Sequence, residues 1–149
     1  MTTELTLAEL AAASGLELEP SDWVTIEQRA IDQFAEATGD HQWIHVDPER
    51  AAQGPFGTTV AHGYLSLSLL PGLLYSMLTV TDARMGVNYG IEKVRFTAPV
   101  PSGSRVRLKA TVRSAERRGE GVLYHLDVEV EIEGADKPAL VGEVVYLVF

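Results

Sequence analysis

Asp40 and His45 are the residues whose types and spacing point most directly to chemistry. They bracket the run Asp40-His41-Gln42-Trp43-Ile44-His45, which lies between two helical patterns and has no regular period of its own. A carboxylate and an imidazole on one turn can hold a water between them and move two of its protons. Proton transfer by positioned groups of this kind contributes about 10²–10⁴-fold to a rate. Loops held by rigid elements are where such groups concentrate. On spacing alone, the plain alternative is an Asx turn beside a half-buried histidine. A metal site is not expected, because Asp40, His41 and His45 lack a recognised ligand spacing.

Two helices have to hold this turn. Upstream, Thr25-Ile26-Glu27-Gln28 matches a capping box, with Thr25 accepting a first-turn N–H and Gln28 reaching back to the Thr25 N–H. Ala30, Ile31, Phe34 and Ala37 follow at helical spacing, and Gly39 suits a left-handed C-terminal residue. The pattern therefore predicts a helix over 26–38. Downstream, Asp47 is a good N-cap, Pro48 belongs in a first turn and Glu49 suits the positive end of the dipole. This short helix should end by Gly54. Residues 1–20 read as an N-terminal helical extension, with Leu5, Leu7, Leu10 and Ala11 at helical spacing and Gly15 as the stop.

Residues 63–81 carry no charge. The stretch is long enough to cross a bilayer. Against that, Pro71-Gly72 interrupts it, Ser66, Ser68 and Ser76 dilute it, and it lacks a basic flank. It is expected instead to be one uninterrupted helix over 63–78, with Pro71 as the place for a kink and with the deepest burial in the chain. From Gly86 onward the period is two. Val106, Leu108, Ala110 and Val112 alternate with a basic set, and Leu126, Val128, Val130 and Ile132 alternate with an acidic set. Each reads as a strand with one buried face, and the opposite charges favour antiparallel pairing. A turn over 117–121 places Lys109 opposite Glu129, Arg107 opposite Glu131 and Arg105 opposite Glu133. Further strands are expected around 90–97 and 140–149; the last is apolar on both faces and should be central.

The chain has 149 residues, which suits a single domain over 1–149. It contains no cysteine, so disulfides, thiolate metal sites and cysteine nucleophiles are excluded. A formal net charge of −9 repels a phosphate backbone and argues against nucleic acid as a partner. The N-terminus lacks a basic region and carries Glu4 and Glu9, unlike a signal peptide, so no membrane association and a cytoplasmic location are expected.

The turn also resembles a known motif. Gly39-Asp40, Ile44-His45 and Ala51 are similar to the hydratase-2 motif of the MaoC-like dehydratases, the (R)-specific enoyl-CoA hydratases, which reads G-D-x-N-P-apolar-H-x5-A/S. Pro55-Phe56-Gly57 and Ala61-His62-Gly63 resemble the segment leading into that family's central helix. Asn88-Tyr89-Gly90 and Val94-Arg95-Phe96 resemble its following strand. The likeness covers roughly 22–149 and is nearest to the NodN-like subgroup. It implies an α+β fold of the hot-dog type, a curved antiparallel sheet wrapped around a long buried central helix, usually paired as a homodimer. It implies an acyl thioester substrate, with coenzyme A or acyl carrier protein as part of that substrate and no separate cofactor.

Carried over residue by residue, Asp40 and His45 would be catalytic and the Gly63 N–H would form the oxyanion hole. Gln42, Trp43, Phe56, His62 and Tyr64 would meet substrate. The three aromatics fit a tunnel wall and plain core equally well, and His62 reads more readily as a residue orienting the turn before Gly63. His41 suits the solvent or a pocket rim, and His125 the polar face of a strand. Arg95, Arg105 and Arg107 are candidates for coenzyme A phosphates; for Arg105 and Arg107, pairing with Glu131 and Glu133 is the preferred reading. The chain departs from the family in having Gln42-Trp43 for Asn-Pro, and Pro71 where some members have serine. Ser66 and Ser68 lie on other helical faces and are not assigned that role. Two rival functions are a hot-dog thioesterase, disfavoured because 63–81 has no carboxylate, and a non-catalytic acyl-thioester-binding subunit.

Overall fold

The computed structural model describes all 149 residues. From the N-terminus its elements are β1 (Thr3–Leu5), α1 (Leu7–Ala11), β2 (Leu16–Glu17), β3 (Val24–Thr25), α2 (Gln28–Thr38), α3 (Trp43–Val46), α4 (Pro48–Ala52), α5 (Gly63–Ser68) and α6 (Leu70–Leu74). They continue as β4 (Leu78–Val80), β5 (Gly86–Phe96), β6 (Arg105–Arg118), β7 (Gly121–Ile132) and β8 (Leu140–Val148). The long strands form one antiparallel sheet in the order β6-β7-β8-β5, with β2 and β3 both paired to the outer side of β6. This is the expected hot-dog arrangement. β8 lies between β7 and β5, as its two apolar faces require.

The alternation in β6 and β7 buries Val106, Leu108, Val112, Leu126 and Val130 on one side. Burying one such side chain is worth about 1.5–3 kcal/mol. They join Ile31 of α2 and Leu70 of α6 in a single core. Leu10 of α1 is fully buried in that core, and β1 pairs in parallel with β4, so residues 1–20 hold their helix between two short strands.

The opposed charges sit in the expected register, with Arg107 facing Glu131 and Lys109 facing Glu129. Arg107 Nε lies 2.5 Å from Glu131, and Arg105 Nη1 lies 3.0 Å from Glu133. Lys109 leans to Glu131 at 3.8 Å instead of its direct partner. The turn differs from expectation. Arg118 pairs with Gly121, leaving only Gly119 and Glu120 in the loop. A bulge between Val112 and Ser114 absorbs the one-residue offset, so the register of the charged pairs survives a tighter turn.

Two helical expectations are corrected. The capping box at Thr25 does not form, because the Thr25 backbone is committed to the sheet opposite Arg105. α2 starts later, at Gln28, with Glu27 as an N-cap that makes no side-chain bond. The capping box in this chain is at α1, where Thr6 and Glu9 bond reciprocally. The second correction concerns 63–78. Pro71 has no N–H to offer the Leu67 carbonyl and its ring crowds the preceding turn. The helix breaks at Leu69 into α5 and α6, and Leu78 leaves it for β4.

Nor is this segment the most buried element. β7 holds that place, with Asp127 as its one exposed residue. The helices lie on one face of the sheet, so their other side is open in a single chain: Tyr64 is 68% and Tyr75 74% exposed. Val87, Tyr89, Ile91 and Phe96 of β5 are exposed with them. No helix is long and apolar enough to cross a membrane.

Candidate active site

α2 ends where Gly39 takes φ +82° and donates its N–H to the Ala35 carbonyl. That left-handed residue, easy only for glycine, turns the chain out of the helix and releases Asp40. Asp40 is exposed, and its Oδ1 faces the Gln42 N–H at 3.4 Å. α3 then returns inward and buries His45, which is 7% exposed. Asp47 stops α3 and caps α4, accepting the Arg50 N–H at 3.1 Å. The left-handed Gly39 and the capping Asp47 thus fix the two ends of the turn.

His45 Nδ1 lies 2.7 Å from the Val60 carbonyl. A carbonyl can only accept, so Nδ1 carries the hydrogen and the neutral ring keeps its lone pair on Nε2. One side-chain nitrogen or oxygen from each of Asp40, His45 and His62 lies within 4.8 Å of the other two. One water, hydrogen-bonded at about 2.8 Å on each side, spans such a gap. The carboxylate and the imidazole are therefore placed to share a water.

Asp40, His45 and His62 have the proximity of a metal site, a set that the spacing argument, made for Asp40, His41 and His45, did not include. Their ring geometry differs from one. The His45 and His62 rings stack at 3.9 Å with only 23° between their planes. In-plane lone pairs of two such rings do not meet within the 2.0–2.1 Å of a zinc–nitrogen bond.

His62 donates from Nε2 to the Asp40 backbone carbonyl at 2.9 Å and packs against Phe34 at 4.9 Å. It is the N-cap of α5, and Gly63 is the first helical residue. α5 has no side-chain cap, and the first N–H groups of a helix have no intrahelical acceptor. A Cβ on Gly63 would lie 2.9 Å from the Phe96 ring, so the glycine is demanded by that aromatic. A cavity of about 270 Å³ opens beside it, lined by Ile44, Phe56, Gly63, Ser66, Phe96 and Val100. Ile44 and Gly63 are the chain neighbours of His45 and His62. Asp40 and His45 themselves do not line this cavity.

The remaining candidates separate. Phe56 lines the cavity. Trp43 does not; it packs under Arg50 at 4.3 Å and against Gly54. Tyr64 stands largely in solvent with its ring edge-on to Phe96 at 5.7 Å. Gln42 is exposed. His41 lies 3.7 Å from Glu36. His125 bonds Glu143 at 2.9 Å, and with Arg113 on the same carboxylate this holds Glu143 below its ordinary pKa. Arg105 and Arg107 pair with glutamates, as preferred, and Trp23 lies beneath Arg107.

Sequence reasoning missed the places of Gln28 and Thr59, and it turned down Ser66. Gln28 donates to the His45 carbonyl at 2.7 Å and accepts from Thr59 at 2.5 Å, tying α2 to α3 and to the segment that holds Val60. Thr59 is buried. Ser66 is buried and reaches the cavity from the same side as Gly63, the signal for which was its i+3 spacing.

The family model described as MaoC like domain matches residues 9–133. The chain belongs to the MaoC-like family. Within that family it is 54% identical over 144 residues to the 3-hydroxyacyl-thioester dehydratase Z of Mycobacterium tuberculosis, covering 96% of this chain and 95% of the relative. It is 49% identical to the Nodulation protein N of Rhizobium leguminosarum bv. viciae, covering 92% and 87%. Among solved structures, the unliganded R-hydratase PhaJ1 of Pseudomonas aeruginosa superposes with a TM-score of 0.77 at 25% identity, covering 95% of this chain and 84% of that one. The likeness to these MaoC-like relatives runs over 92–96% of this chain and is not confined to the turn.

Proposed function

We propose that the protein is an (R)-specific enoyl-thioester hydratase, running in reverse as an (R)-3-hydroxyacyl-thioester dehydratase. This reading is supported by a ring nitrogen of His45 and a carboxylate oxygen of Asp40 lying within 4.8 Å of each other, with His45 Nδ1 engaged by the Val60 carbonyl so that Nε2 is the nitrogen left to accept a proton. The bare nitrogen takes one water proton while Asp40 holds the other hydrogen. The hydroxyl oxygen bonds to C3 of a trans-2-enoyl thioester as the C2–C3 π bond breaks. Negative charge moves to the thioester oxygen, where the Gly63 N–H, at the positive end of α5, stabilises it. The proton on His45 then passes to C2 on the same face. Water is consumed whole and no other reactant is needed. The apolar cavity beside Gly63 suits the acyl chain.

The active unit in this reading is a homodimer. β5 is an edge strand exposed along almost its whole length, and its apolar residues adjoin the open side of α5 and α6. A second copy pairing along β5 would cover both.

The test is a chain-length series of trans-2-enoyl-CoAs, followed by loss of enoyl absorbance, with the product coupled to (R)- or (S)-specific 3-hydroxyacyl-CoA dehydrogenase. Turnover with the (R)-specific partner alone is expected. Asp40→Asn should fold normally and lose about 10²–10⁴-fold in kcat. Thiol release without loss of the double bond would point to a thioesterase, and binding without turnover to an acyl-thioester-binding subunit.

A further inference from the structure

His62 is the place where this chain keeps a polar atom at a cost. The residue is 3% exposed, and its Nδ1 is the one buried side-chain nitrogen or oxygen without a hydrogen-bond partner. An orphaned buried acceptor of this kind costs about 1–3 kcal/mol. A ring of carbon would fill the same space without that penalty, so something else explains the nitrogens.

Three contacts supply the explanation. Nε2–H reaches the Asp40 carbonyl at 2.9 Å. The ring face lies under His45 at 3.9 Å, with Phe34 packed against it as well at 4.9 Å. The backbone of His62 caps α5 and hands the chain directly to Gly63. One rigid group therefore touches the carrier of the carboxylate, the face of the imidazole and the start of the oxyanion helix. His45 is otherwise pinned at a single ring atom, by Val60. The stack removes its remaining freedom to tilt.

We propose that His62 is a positioning residue, holding Asp40, His45 and Gly63 in one geometry through its Nε2–H and its ring face. The inference rests on the hydratase reading of Asp40 and His45. It predicts an effect on turnover and not on stability or ground-state binding, since a misplacement of about 1 Å can cost about 10²-fold in rate.

Two variants separate the contacts. His62→Gln places an amide nitrogen near the position of Nε2 and keeps a donor for the Asp40 carbonyl, but loses the stack. His62→Phe keeps the stack and removes both the donor and the orphaned Nδ1. The expected result is a kcat lowered about 10–100-fold in each, with KM within about twofold of the native value. The Tm of His62→Phe should equal or exceed that of the native protein. Activity lost only in proportion to thermal stability, or native kcat in both variants, overturns the proposal. Asp40→Asn is measured alongside. An inactive Asp40→Asn with fully active His62 variants defeats the positioning role alone; an active Asp40→Asn defeats the hydratase reading and the role of His62 with it.

Discussion

At the scale of single residues, Asp40 and His45 were legible through the resemblance of the run from Gly39 to Ala51 to a known motif, since local spacing alone favours an Asx turn beside a half-buried histidine. The residues that hold them in place were not, because their partners are distant along the chain. Gln28 reaches His45 and Thr59, and nothing in the sequence near Gln28 announces either bond. Its presence three positions after Thr25 instead suggested a capping box. The structure gives it a different task, with a measurable consequence. In Gln28→Ala, the buried Thr59 hydroxyl loses the partner that accepts from it, at a cost of about 1–3 kcal/mol. Urea midpoints should fall accordingly, and kcat should fall with them as α3 loosens. Adding Thr59→Val removes the orphan and should recover most of the stability without recovering the rate. Recovery of both would mean that Gln28 serves only the fold.

At the scale of elements, the strands were legible and the helices less so. Alternation fixes which face of a strand is buried, and a one-residue slip would turn Val106, Leu108, Val128 and Val130 to water. The charged register therefore held although the turn was shorter than expected. A run of apolar residues carries no such parity. Nothing in the composition of 63–78 tells a helix with a bend from two helices, because a proline is equally at home in a first turn. The inner face of the sheet also carries two tyrosines that couple stability to pH. Burial raises the Tyr146 hydroxyl to about 12 and that of Tyr124 further. The unfolded chain releases these protons near pH 10. Between those values the folded state holds more protons than the unfolded one, so stability is complete below pH 10 and declines as pH rises above it. Urea midpoints measured from pH 8 to 11 should show this decline. It should be shallower in Tyr146→Phe, and an unchanged slope there would place its origin elsewhere.

At the scale of the whole molecule, the burial pattern is unfinished. The sequence marks 63–78 for the deepest burial, yet one chain leaves Tyr64 and Tyr75 in water and β5 uncovered. Long, flat, apolar edge strands invite pairing and are usually blunted by proline, bulges or covering elements. β5 has bulges between Asn88 and Gly90 and between Ile91 and Lys93, but it has no proline and presents Val87, Tyr89 and Ile91 outward. A second copy related by a twofold axis satisfies the edge and the open helical face together. Light scattering at micromolar concentration should accordingly give twice the chain mass of 16.2 kDa. Ile91→Lys puts a charge into the centre of the shared strand and should yield monomers. Phe56 and Phe96, on the wall of the cavity beside Gly63, are each about half exposed in the single chain. If the partner completes that wall, the Ile91→Lys monomer should lose turnover on long enoyl chains before short ones. A native chain that scatters as a monomer removes the dimer. A monomeric variant with native rates on every chain length leaves the dimer standing and makes the site the property of one chain.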